Sequence, residues 1–214
     1  MKPTQQCDAA FKQAVLVKCY DALAAVGFTR FRKEAMDWPL DGDFHCWVGL
    51  NSALESEHVD INPFGGVHVV PIEKCWTVLK IGKYPGKYSR TVATYARHMG
   101  ELTPDEPMFR FTHSTDVDAE ADRLARLYAS AGLAYARSIS TFELLLPLLQ
   151  GRIEMRGAYP ERVASCLYLM GRKKEAGDFV RRYLVDNRDY FEGFAVPFLK
   201  VLDHQDYRVG SAAN

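Results

Sequence analysis

From residue 8 to 26, apolar side chains recur every three or four positions. Phe11, Val15, Cys19, Ala22 and Val26 fall on one stripe, the signature of an amphipathic helix. Gly27 stands where a left-handed C-terminal cap is wanted, with Phe28 placed to fold back onto the helix. Beyond it the period drops to two. Phe44, Cys46, Val48 and Leu50 alternate with Asp43, His45, Trp47 and Gly49, and Asp41-Gly42 ahead of them is a turn signal. Val59 and Ile61 continue the alternation, Pro63-Phe64-Gly65-Gly66 reads as a turn, and Val67 and Val69 resume it until Pro71. The pattern predicts an antiparallel β-meander with one dry and one wet face.

Residues 74–100 carry a mixed signal. Cys75-Trp76-Thr77-Val78-Leu79 suits either strand or helix, Val92, Tyr95 and Met99 suggest a helix after Ser89, and Phe109-Arg110-Phe111 suits a short strand. From 115 onward the period is helical. Val117, Ala121, Leu124, Tyr128 and Ala131 form a stripe behind Thr115 or Asp116 as cap. Ser140-x-x-Glu143 is a capping-box pattern opening a leucine-rich helix that Pro147 should kink. Pro160 begins another, stopped by Gly171, and Ala176 to Leu184 supply its antiparallel partner. A last apolar stretch covers 191–202. The expected class is therefore α+β: an N-terminal helix, an antiparallel meander and a helical C-terminal half. Its expected divisions are an α+β domain over 1–112, a helical region over 113–206 packed on it, and a disordered tail over 207–214.

Composition changes this picture little. The 214 residues are 48% hydrophobic and 12% aromatic, enough for a full core, and 27 basic residues balance 27 acidic ones. Five scattered cysteines without a CxxC suit reduced thiols. Lys12 and Lys18 interrupt the N-terminal apolar run, and no stretch reaches membrane-span length, so a cytoplasmic, non-membrane protein is expected.

Local charge is more informative. Lys74, Lys80, Lys83, Lys87, Arg90 and Arg97 fall between 74 and 100 with no acid among them, while 101–122 holds seven acids against Arg110. Tyr84, Tyr88 and Tyr95 interleave the basic run, a combination that can track a nucleic-acid backbone and stack bases. Nucleic-acid binding or processing through 74–97 is thus the alternative function. The stretch from Gly82 to Ser89 glances at a phosphate loop, but three residues separate its glycines instead of four, and Tyr88 stands where a Ser or Thr should follow the lysine.

On the meander, turning Val59, Ile61, Val67 and Val69 inward sends His58, Asp60, Asn62 and His68 outward, with His45 on the neighbouring strand. Such a set could hold a divalent ion only if the strand register aligned it, and no closely spaced ligand pair supports that. A solvated face is the simpler reading, and no metal, cofactor or catalytic residue is assigned. No nucleophile elbow, dinucleotide fingerprint, kinase signature or EF-hand loop occurs.

Two stretches carry a resemblance. Asp43-Phe-His-Cys-Trp-Val-Gly-Leu-Asn51 with His58-Val-Asp-Ile-Asn62 is similar to the exposed sheets of bacterial immunity proteins, the antidotes encoded beside polymorphic or contact-delivered toxins. The C-terminal half, from Asp118–Ala136 through Ser140–Leu145 to Ala164–Ala176, resembles their helical portions, and its last segment resembles one tetratricopeptide-type hairpin. The resemblance implies a non-enzymatic protein that binds a cognate toxin and occludes its active site. The expected contact residues are His45, Trp47, Glu55, Glu57, His58 and Asp60: an aromatic anchor, acids that steer a basic partner, and polar contacts.

Overall fold

The computed structural model describes residues 6–31, 35–81, 91–105, 108–155 and 159–204. The stretch from Gly82 to Ser89, with Lys83 and Lys87, and Arg90 lie outside them, as does the expected disordered tail. The observed class is α+β, with an N-terminal helix, an antiparallel sheet and a helical C-terminal half.

Helix α1 spans Ala9–Ala25. Asp8 caps it, its carboxylate accepting from the Phe11 amide at 2.7 Å. Gly27 adopts φ 105°, and the Phe28 amide donates back to the Leu23 carbonyl, so this helix end follows the expected left-handed cap. Strands β1 (Thr29–Phe31), β2 (Ala35–Pro39), β3 (Phe44–Leu54) and β4 (Val59–Val69) follow in spatial order. The far edge of β4 pairs with both β5 (Tyr95–His98) and β6 (Phe109–Phe111).

Two expectations need correcting, and one open alternative is resolved. There is no turn at 63–66: β4 runs unbroken through Pro63-Phe64-Gly65-Gly66. The glycines are there because neighbours approach too closely for a side chain; a Cβ on Gly66 would lie 2.0 Å from the Tyr95 carbonyl oxygen. The residues after 91 form a strand, β5, not a helix, because pairing with Val67–Phe64 satisfies their backbone. The ambiguous stretch over 75–79 belongs to helix α2 (Val70–Ile81), which starts directly after β4.

Chain contacts divide the molecule into two compact units. The first takes the described residues within Met1–His68 and Ser89–Ser140, the second those within Val69–Tyr88 and Thr141–Asn214. This partition differs from a division at 112/113: it places α2 with the C-terminal helices and residues 113–140 with the sheet.

In the first unit, α3 (Met99–Leu102) follows β5, and α4 (Val117–Leu127), a π-helical turn (Tyr128–Gly132) and α5 (Leu133–Ser138) pack against α1 and β3. Asp116 caps α4 through the Ala119 amide. Tyr128 is fully buried, and its hydroxyl lies 3.0 Å from both the Gly49 and Phe64 carbonyls. It ties the π-turn to β3 and β4 at once, using carbonyls that would otherwise go without this partner.

The second unit is helical: α2, α6 (Phe142–Gln150), α7 (Pro160–Leu169), α8 (Lys173–Asp186) and α9 (Arg188–His204). The cap of α6 is Thr141, whose hydroxyl accepts from the Leu144 amide; Ser140, the expected cap, instead donates to the Arg137 carbonyl. Gly171 at φ 77° breaks α7 from α8, and the two pack together. Phe191, Phe194 and Phe198 of α9 are fully buried core residues. Glu73 of α2 and Arg162 of α7 form a buried bidentate pair.

Candidate functional site: a groove and an acidic hairpin tip along strand β3

The polar set expected to share one face is divided in two. His58 immediately precedes β4, Asp60 lies at its start and His68 near its end, with Asp60 and His68 about 26 Å apart at the rise of an extended strand. At the first end, Asp60 accepts two hydrogen bonds from Arg110, at 2.8 and 3.0 Å, and lies 3.3 Å from His58 Nε2. The Arg110 hydrogen bond is the main reason its carboxyl is held below the usual range. That pair therefore stabilises the folded chain above the ordinary aspartate value of about 3.9, and the contribution vanishes as pH falls through the lowered one. Arg110→Ala is expected to raise the Asp60 midpoint toward the ordinary value, as read by carbon-13 NMR of the carboxyl, and to lower stability at neutral pH while removing this part of its acid dependence. An unmoved midpoint would show that Arg110 is not the cause.

At the other end, register pairs Asp37 with Trp47 and Pro39 with His45, placing Asp37, His45 and Trp47 on one face. His45 Nδ1 lies 2.9 Å from Asp37 Oδ2, and His68 Nδ1 lies 2.7 Å from the Val92 carbonyl. The two imidazole centroids are 6.5 Å apart. Two imidazoles on one tetrahedral zinc need centroids about 5 Å apart, given metal–nitrogen bonds of about 2.0 Å. The rings as placed do not chelate, and among the described residues no group of three or more His, Cys, Asp or Glu is arranged to hold a metal. This face is not uniformly wet either: Asp37 and His68 are each 1% exposed.

Trp47 is half-buried, and its indole N–H is buried with no acceptor among the described residues. The ring lies over Gly49, where a Cβ would come 2.2 Å from it. It forms part of the wall of a groove of about 840 Å³ beside β3, closed on the other side by the Lys12, Leu16 and Tyr20 stripe of α1. Lys12 Nζ donates to the Ser52 carbonyl at 3.0 Å. Arg30 of β1, also in the lining, stacks over the Tyr20 ring at 4.9 Å. Sequence reading found Trp47 but not Lys12, Tyr20 or Arg30. The α1 stripe was legible as Phe11, Val15 and Cys19, whereas Lys12, Leu16 and Tyr20 lie on the adjoining flank, which only the tertiary packing of α1 turns toward the strand.

Just past the groove, β3 turns into β4. The Glu55 amide donates to the His58 carbonyl at 2.9 Å, closing a tight tip in which Leu54, Glu55, Ser56 and Glu57 are exposed. The tip is held from outside as well, because the Cys7 amide donates to the Ser56 carbonyl at 2.9 Å. Glu55 and Glu57 are thus carried on a braced hairpin.

The expected basic run is distributed over both units. Lys74 and Lys80 lie on α2 of the second, Arg97 on β5 of the first, 3.2 Å from Glu101. Lys18 likewise pairs with Asp118 at 2.7 Å, so acids of the 101–122 segment meet cations within the fold. All five cysteines are free and buried, and burial pushes the thiols of Cys19, Cys46 and Cys166 up to about 12. No helix among the described residues is long and apolar enough to cross a membrane. No family model matches the chain, and no curated protein or solved structure matches it.

Proposed function

We propose that this chain is a non-enzymatic protein-binding module, an antidote that presses the β3–β4 hairpin tip into the active-site cleft of a bacterial toxin and excludes its substrate. The observation that carries the reading is the braced tip: two exposed carboxylates, Glu55 and Glu57, on a turn fixed by its own hydrogen bond and by the Cys7 amide. An exposed, braced acidic hairpin of this kind loses little conformational freedom on insertion and suits a cleft lined by cations. The resemblance of residues 43–62 to immunity-protein sheets supplies the class of partner. His58 and Asp60, next to the tip, would contribute to the same contact, and Trp47 would flank it.

The test is a reading frame encoded beside this one. Co-expression should rescue cells from its product, and the purified pair should form a stable complex. Glu55→Lys with Glu57→Lys is expected to slow association by at least about tenfold at low salt and to flatten its salt dependence. A complex whose association rate ignores that double charge reversal would sink the tip as the docking element, and failure of every neighbouring product to bind would sink the antidote reading.

A further inference from the structure

We infer that the helical unit carries a binding pocket for a small aromatic carboxylate, lined by the end of α6, by α7 and by one face of α8. The inference stands apart from the antidote reading, which concerns the sheet unit.

Glu175, Asp178, Phe179 and Arg182 recur at steps of three and four along α8 and so share one face. With Arg181, Leu167 of α7 and Gln150, the last residue of α6, that face lines a pocket of about 450 Å³. Such a volume admits a ligand built on a single ring.

The two carboxylates in the lining are already engaged. Glu175 accepts from Arg172 through both oxygens, at 2.8 and 2.5 Å. Asp178 accepts from Lys174 at 2.7 Å, with Arg181 3.7 Å away. The Arg172 and Lys174 hydrogen bonds are the main reason these carboxyls are held below their usual range. Arg182 differs. Its Nε donates to the Asp178 carbonyl at 3.3 Å, a neutral acceptor one turn back, and among the described residues it joins no ion pair. Its two terminal nitrogens carry the planar fork of donors that matches a carboxylate.

Charge around the pocket favours an anion, since residues 172–182 hold five cations against two acids. The remaining lining favours an apolar body. Leu167 is buried, and Phe179, whose ring stacks on Tyr183 at 5.8 Å, adds an aromatic wall. Gln150 supplies a carboxamide that can donate to an acid. One uncommitted guanidinium suits a single negative charge. A carboxylate therefore fits better than a phosphate ester, which carries more charge near neutral pH.

Titration of the nitrogen-15-labelled full chain, followed by amide NMR, tests this with phenylacetate, phenylacetamide, acetate and phenyl phosphate. Phenylacetate is expected to saturate in the millimolar range and to shift the amides of Gln150, Leu167, Phe179 and Arg182. Arg182 is exposed, so Arg182→Gln should keep the fold, as its own amide spectrum will show, and weaken phenylacetate binding about fivefold. Phenylacetamide and acetate, each lacking half of the recognised chemistry, should bind more weakly than phenylacetate, and so should phenyl phosphate. Absence of saturation, shifts clustered away from those four amides, or unchanged binding in Arg182→Gln would overturn the inference. So would a phenylacetamide, acetate or phenyl phosphate that binds as tightly as phenylacetate.

Discussion

Arg162→Ala is expected to destabilise the helical unit by roughly 3–5 kcal/mol, the cost of leaving one member of a buried ion pair alone. Arg162 donates to Glu73 through Nε at 2.7 Å and through a terminal nitrogen at 3.1 Å, and the two side chains are only 6% and 7% exposed. Trp76 also donates to Glu73, at 2.8 Å, and the Arg162 guanidinium lies 4.3 Å over the Tyr159 ring. The fork geometry uses both carboxylate oxygens, so lysine would not substitute well. Against a typical domain stability of about 5–15 kcal/mol, the loss is large. Urea unfolding followed by Trp76 fluorescence, in a background with Trp38→Phe and Trp47→Phe, reports on this unit. Replacing both partners together, Glu73→Leu with Arg162→Met, should recover most of the loss, since what costs is the unpaired charge. If the double replacement were as damaging as Arg162→Ala, the pair would be acting through its packing and not its charge.

That pair marks a limit of reading the chain linearly. Glu73 and Arg162 stand far apart in sequence, and nothing local distinguishes them from surface charges. Helix α1, its Asp8 cap and the Gly27 terminus were legible because periodicity, cap and glycine all act within a few residues. Phe109–Phe111 as a strand and Gly171 as a helix stop were legible for the same reason. The cap of α6 moved by one residue, from Ser140 to Thr141, within the ordinary reach of a hydroxyl at a helix start. Residues 70–81 and 95–98 were not legible, because a short apolar run does not reveal whether a neighbouring strand will pair with it.

The candidate site divides along the same line. Trp47 was found from alternation and Glu55 and Glu57 from their charge, and the structure places them along one strand and its tip. His45, His58, Asp60 and His68 were read as one face, and parity was the reason. Parity fixes which side of a sheet a residue takes but not how far along the strand it sits, so His58 and His68 come out at opposite ends of β4. Lys12 and Arg30, the two cations of the groove, carry no motif. Their significance comes only from a helix and a strand being brought to the same cleft.

Gly66→Ala should be the most damaging single-methyl change in the sheet unit, costing about 3 kcal/mol or more. The added carbon would lie 2.0 Å from the Tyr95 carbonyl oxygen and 2.6 Å from the Ala96 Cα. Both are backbone atoms of the paired strand, which no rotamer change can move. Gly66 faces Ala96 in the β4–β5 register, so relief requires the two strands to part. The neighbouring glycine supplies the control. A Cβ on Gly65 would meet the Met99 sulfur at 2.7 Å, the far part of a flexible side chain that can swing away, and Gly65→Ala should cost about 1–2 kcal/mol. Thermal unfolding gives the difference between the variants, and hydrogen exchange locates it: the Tyr95–His98 amides should lose protection in Gly66→Ala and keep it in Gly65→Ala. Equal tolerance of both would mean that close approach of β5 is not what reserves position 66 for glycine. Unequal cost in the stated order ties the Gly-Gly pair to strand packing, since a turn glycine held by its backbone angle alone would show no such dependence on the neighbour a methyl meets.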